Sequence, residues 1–180
     1  MDVRGWGSTA AERASAFPCD ELGFVDDDVF HRAIDIAAPL PLVFRWLCQL
    51  KVAPYSYDLL DNFARRSPPA LTPGAQRLAL GQRLMTIFRI VAFRYDDHLT
   101  IALASRLGRA AMGDFAGTYR VRRRPDGGTR LVARILVRYP RGWYGRFLRP
   151  VLPFLDLIMF RKQLLTLRRY AERDARRAVQ

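Results

Sequence analysis

Between Leu78 and Tyr139 the apolar side chains alternate with polar ones in run after run, and no stretch of helical period separates the runs. That feature limits the fold more than any other. Strands that follow one another through short turns pair antiparallel, because a parallel pair needs a long crossover between them. Gln82 to Tyr95 is a long β-rich run, one bent strand or two, and Asp96-Asp97 turns the chain. Leu99, Ile101 and Leu103 then alternate, followed by Phe115, Gly117, Tyr119 and Val121. Pro125-Asp126-Gly127-Gly128 is the clearest hairpin, since its glycines permit positive φ. Leu131, Ala133, Ile135, Val137 and Tyr139 form the last strand, with Arg130, Arg134 and Arg138 on its opposite face.

The flanks complete the outline. Val29 to Ile36 has strand character, and Pro39 and Pro41 mark the boundary after it. Leu42, Val43, Trp46, Leu47 and Leu50 recur at helical spacing, and a second short helix is expected over Tyr57 to Phe63. Arg65 to Gly74, with three prolines, is a loop. Arg141 to Pro153 is expected to be a linker rich in aromatics, followed by a long helix to about Arg177. Leu157, Phe160, Leu164, Leu167 and Ala171 give that helix one apolar stripe. The fold class is therefore α+β: a curved antiparallel sheet of about six or seven strands around a long C-terminal helix, with two short helices after the first strand. Residues 1–28 lack a sustained period and form an arm, with a short helix around Ala10 to Ala16 and a solvated Asp26-Asp27-Asp28; residues 29–180 form the domain.

Half of the 180 residues are hydrophobic, so the net charge of +13 belongs to a folded chain and not a disordered one. All but two of the 30 cations are arginine, the exceptions being Lys51 and Lys162. Genome composition explains most of that bias, while an anionic partner is the sharper alternative. The longest apolar stretch, Val151 to Phe160, holds Pro153 and Asp156 and is far short of the about 20 residues a membrane span needs. Nothing at the N-terminus has the apolar core of a signal peptide, and a cytoplasmic location is expected. Cys19 and Cys48 lack metal-ligand spacing, and Cys48 sits in an apolar helical pattern as a buried thiol.

Four segments carry a resemblance. Ile34-Asp35-Ile36-Ala37-Ala38-Pro39 leads into Val43-Phe44-Arg45-Trp46-Leu47; Tyr55-Ser56-Tyr57-Asp58 is followed by Leu60-Asp61-Asn62; Gly81-Gln82-Arg83 enters the strand region; Met159-Phe160-Arg161-Lys162-Gln163-Leu164-Leu165 opens the last helix. Over about residues 29–175 the chain resembles the START-like, or helix-grip, superfamily (SRPBCC), which includes polyketide cyclases and lipid-transfer domains. The resemblance implies a cavity between curved sheet and C-terminal helix that holds an apolar small molecule. Because that superfamily supports binding, transport and catalysis on one scaffold, it specifies fold more than function.

The expected lining is Phe88, Ile90, Phe115, Tyr119, Ile135, Tyr139, Phe160 and Leu164, with Tyr55 and Tyr57 near one end. The ligand class is lipid-like, polyketide-like or aromatic. An aromatase or cyclase is the alternative, with Tyr57 and Asp58 as its catalytic candidates, although helix capping by Asp58 explains that residue as well. The chain has no nucleophile elbow, P-loop or dinucleotide fingerprint, which leans against an enzyme, and no cofactor is expected. His31 and His98 have no companion at metal-ligand spacing, so no metal is expected either. Arg120 and Arg134 are expected as close neighbours on the outer face of the sheet, where carboxylates or an anionic surface must neutralise them. Arg141 to Arg149 interleaves aromatics with cations, a pattern that suits an anionic membrane surface, a gate over the cavity mouth or a linker tucked under the sheet equally; nucleic acid is the least supported partner.

Overall fold

The computed structural model describes residues 2–23, 26–56, 66–85, 87–105, 108–109 and 113–178. Six strands form one antiparallel sheet: β1 (Asp28–Ile36), β2 (Arg83–Leu84), β3 (Phe88–Arg94), β4 (His98–Leu103), β5 (Asp114–Arg123) and β6 (Thr129–Arg138). Their order across the sheet is β1-β6-β5-β4-β3-β2. Helices α1 (Ala10–Ala14), α2 (Leu40–Cys48) and α3 (Trp143–Arg177) complete the described elements, with single 3-10 turns at Pro18–Leu22 and Gln49–Lys51. The fold is α+β, as the alternation requires. The second short helix expected over Tyr57 to Phe63 lies outside the described residues.

Parity along each strand decides what faces α3. Leu131, Ala133, Ile135 and Val137 of β6, Tyr119 and Val121 of β5, Leu99 and Ile101 of β4, and Ile90 of β3 all join one core with Leu164, Leu167 and Ala171 of α3. The β5–β6 hairpin turns where expected, with Gly127 at φ 80°, a value that an L side chain adopts only under strain. The long run before Asp96 is two strands: Met85 at φ 47° separates β2 from β3, and a bulge between Ile90 and Ala92 bends β3. Helix α2 closes one end of the interface. There Trp46 is fully buried, stacks on Tyr170 at 5.0 Å and donates from Nε1 to Asp174 Oδ2 at 3.1 Å.

Two expectations about the flanks are corrected. The segment from Trp143 is not a linker. Helix α3 begins there and runs through Pro150 and Pro153 without ending, although each proline removes one i→i−4 donor. The acidic run at the end of the arm is not simply solvated, and the arm itself takes a place on the sheet. It runs along the free edge of β1, where His31 N donates to the Arg4 carbonyl at 2.6 Å and Ala33 N to the Trp6 carbonyl at 3.0 Å. Phe17 and Cys19 then bury themselves on the outer sheet face against Ala33, Val132 and Leu136. Such cover removes the hazard of an unpaired edge strand. Asp27 and Asp28 also take partners: Asp27 accepts from Tyr139 N at 2.9 Å, and Asp28 pairs with Arg4 at 2.7 Å.

The arm also answers the question posed by the outer arginines. Arg134 sits opposite Thr118, and Arg120 opposite Val132, so the two are diagonal neighbours and not a direct pair. Phe17 lies beneath both guanidinium groups, 4.2 Å from that of Arg120 and 5.8 Å from that of Arg134. Asp20 pairs with Arg134 at 2.9 Å and Glu12 with Arg130 at 2.7 Å. Carboxylates from the arm, distant in sequence, neutralise Arg130 and Arg134, while Arg120 rests on the Phe17 ring.

Candidate functional site

The interface between sheet and α3 is tightly packed at one end and less fully covered at the other. At the packed end Tyr55 is 1% exposed; its ring meets Trp46 and Tyr170 edge-on, and its hydroxyl donates to the Pro68 carbonyl at 3.0 Å. Leu164 and Ile90 are fully buried. In the middle Tyr119 is buried, stacks on Phe160 with ring centroids 5.7 Å apart, and donates to Gln163 Oε1 at 2.8 Å. Gln163 passes the chain on, its Nε2 donating to the Pro54 carbonyl at 2.7 Å. Burial pushes the Tyr119 phenol well above its ordinary range. It is a hydrogen-bond donor, not a proton source near neutral pH.

Phe88, Phe115 and Phe160 are only half-buried although all three pack on the core. Phe115 pairs with Val137, whose other neighbour is Asp28. The register therefore puts Phe115 at the same end of the sheet as Tyr139, one turn from the start of α3. Ile135 and Tyr139 are buried there, and the Tyr139 hydroxyl donates to Asp28 Oδ2 at 3.2 Å. Burial raises the Tyr139 phenol, and the Asp28 charge raises it further. Of the residues expected to line a cavity, the described ones do gather on one interface. Tyr57 and Asp58, the catalytic candidates, lie outside the described residues.

Beside Tyr139 a cleft of about 800 Å³ opens between the end of β6 and the first turns of α3. Arg138, Arg141, Arg146 and Arg149 line it, with Asp27 as the acid among its walls. Arg149 pairs with Asp27 at 3.2 Å and lies over the Tyr139 ring at 5.3 Å. Gly145 permits the close crossing of α3 over the strand exit: a Cβ there would overlap the Pro140 carbonyl.

Inside the interface stands a pair the sequence reading passed over. Arg32 shares the inward parity of Phe30, Ile34 and Ile36, and it is fully buried. Its Nη2 donates to Asp156 Oδ2 of α3 at 2.6 Å, and its Nη1 to the His31 carbonyl at 2.9 Å. Nε is buried and has no partner. Burial pushes the Asp156 carboxyl up to about 6, although the Arg32 charge pulls it down. The signal was available: one arginine in an inward alternation, and one aspartate in the longest apolar run, each odd alone and explained by the other.

The remaining titratable candidates take structural places. His31 is buried on the outer face, where Arg134 Nη1 approaches its Nε2 at 3.2 Å, and burial lowers its pKa to about 4. His98, expected to be solvated, is half-buried and bonds Asp97 at 2.9 Å, while Arg122 engages the same carboxylate. Cys48 is buried as expected, and desolvation pushes its thiol up to about 12. Among the described residues no group of His, Cys, Asp and Glu could hold a metal ion, and no helix is long and apolar enough to cross a membrane.

No protein-family model matches the chain, and no curated protein matches it. Solved structures do. A hypothetical protein from Helicobacter pylori superposes with a TM-score of 0.53 at 12% identity, covering 88% of this chain and 96% of its own. A protein from Nitrosospira multiformis gives 0.51 at 12% identity, covering 82% and 99%, and one from Mesorhizobium loti gives 0.51 at 13%, covering 81% and 97%. At such identities the likeness is one of fold. An antiparallel sheet that grips a long C-terminal helix fits the helix-grip arrangement, over nearly the whole length of these neighbours.

Proposed function

We infer that the chain binds an apolar small molecule, lipid-like, polyketide-like or aromatic, in the sheet–α3 interface, entering at its less covered end. The observation that carries this reading is Arg32 Nε. A buried N–H without an acceptor costs free energy, and such groups in native proteins call for an explanation. A ligand oxygen supplies one. Arg32 lies four residues along β1 from Asp28, or roughly 13 Å from the less covered end at strand rise. A molecule with an apolar body against Phe88, Phe115, Ile135 and Phe160, and a carbonyl or carboxylate at its inner end, satisfies both features. That combination of apolar walls and few polar anchors is the usual composition of small-molecule sites.

Thermal unfolding in the presence of fatty acids, isoprenoids and polycyclic aromatics tests the reading. A ligand at 100 times its Kd stabilises by about 2.7 kcal/mol, which for a chain of this size raises Tm by roughly 5–10 °C. Phe115→Trp, which fills the less covered end, is expected to abolish that shift. A shift that survived Phe115→Trp unchanged would place the ligand elsewhere.

A further inference from the structure

The first half of α3 has a covered face and an uncovered one. The covered face is buried at Gly145, Pro153 and Leu157. The uncovered face holds Trp143, Phe147, Phe154 and Ile158, exposed by 81, 62, 57 and 52%. At 100° per residue these four fall within about 60° of one another, in a ridge roughly 22 Å long. Large apolar side chains exposed singly are ordinary, but three aromatics and an isoleucine aligned on one helix face mark an interaction surface.

Charge decides what kind of surface meets it. Arg138, Arg141 and Arg146 at the start of the ridge, and Lys162 near its end, are exposed and make no ion pair among the described residues. The acids nearest in the chain are already engaged, Asp27 by Arg149 and Asp156 by Arg32. An apolar ridge bordered by free cations, with Trp at its tip, complements an anionic bilayer: rings enter the headgroup layer and guanidinium groups meet lipid phosphates. Nucleic acid would use the arginines and leave the ridge in water.

We propose that the ridge of α3 from Trp143 to Ile158, together with the arginine cleft at its base, docks the protein on the surface of anionic membranes. The bilayer then lies against the less covered end of the sheet–helix interface, beside Tyr139 and the cleft. Docking of this kind does not depend on an internal ligand and stands or falls separately from one.

Vesicle co-sedimentation tests it. Wild-type protein is mixed with vesicles of phosphatidylcholine alone and of phosphatidylcholine with phosphatidylglycerol at equal parts, at low and high salt. The proposal expects tight binding to the mixed vesicles, weakening with salt, and little to the neutral ones. Arg141→Glu with Arg146→Glu is expected to weaken binding at least tenfold, at roughly 1 kcal/mol for each cation lost near the surface. Phe147→Ser with Phe154→Ser removes only exposed side chains, so its circular dichroism and Tm should match wild type while binding falls by a similar factor. Equal binding to neutral and anionic vesicles overturns the proposal, as does wild-type binding by the folded serine variant. So does a concentration-dependent dimer, seen by light scattering and dissolved by the serine variant, in a protein that ignores vesicles. Binding to DNA or RNA that is indifferent to the serine substitutions, without vesicle binding, overturns it too.

Discussion

Replacing Asp156 by Asn leaves the Arg32 guanidinium buried in the interface without a counter-charge, with only neutral acceptors, the introduced amide oxygen and the His31 carbonyl, about it. Two unit charges about 4 Å apart in protein surroundings attract by roughly 4 kcal/mol, and breaking a buried pair by removing one member costs about 3–5 kcal/mol. That is a large share of the about 5–15 kcal/mol that holds a typical domain together. The intact pair is nonetheless not a net source of stability. Asp156 titrates at about 6 instead of 3.8, so the loss of water around the carboxylate outweighs the attraction of Arg32. An apolar pair should therefore do as well as the ionic one. Urea unfolding at neutral pH provides the assay. Asp156→Asn should lose about 3–5 kcal/mol with an unchanged m-value, and its Tm should drop by roughly 10 °C. The double variant Arg32→Met, Asp156→Leu should lie within about 1 kcal/mol of wild type or above it. A single variant losing less than about 1 kcal/mol would mean that Arg32 is not buried as described. A double variant as unstable as the single one would refute the argument that the intact pair is not a net source of stability.

Two further outcomes follow from the outer face. His31 has a folded pKa of about 4 against 6.5 when unfolded, so between those values the unfolded chain holds more protons and stability falls as the pH is lowered. The contribution is full above pH 6.5 and lost on descending to about 4; Asp156 works in the opposite sense over 3.8 to about 6. Comparing His31→Gln with wild type cancels the other groups, and the difference should move by about 3 kcal/mol in favour of the variant between pH 7 and pH 4. A pH-independent difference would show His31 to be exposed. Phe17→Ala removes a ring that is 3% exposed and underlies two guanidinium groups. It should cost about 3 kcal/mol and release the arm to proteolysis after Arg13, a cut that wild type resists.

The parts of the fold legible in the sequence are those whose signal is local. Alternation from Leu131 to Tyr139 and from Phe115 to Val121 identifies two central strands and the face each turns inward, and the Asp126-Gly127 turn joins them. The arm was illegible because its order comes from contacts across the sheet: Glu12, Asp20 and Phe17 have no period of their own and gain a place only from Arg130, Arg134 and Arg120. The start of α3 was masked by Pro150 and Pro153, which locally argue against a helix. The close packing of Gly145 against the Pro140 carbonyl and the burial of Pro153 override that propensity. Inward parity placed Tyr119, Ile135 and Tyr139 in the core that they occupy. It applied equally to Arg32, whose charge concealed it among apolar neighbours.

Native mass spectrometry of freshly purified protein, followed by organic extraction of whatever dissociates, tests the central claim most directly. The account predicts a stoichiometric apolar adduct on wild type that is absent from Phe115→Trp. A clean apo mass for wild type, with no thermal shift across the lipid and aromatic panel, would contradict it and would make the sheet–α3 interface a filled core.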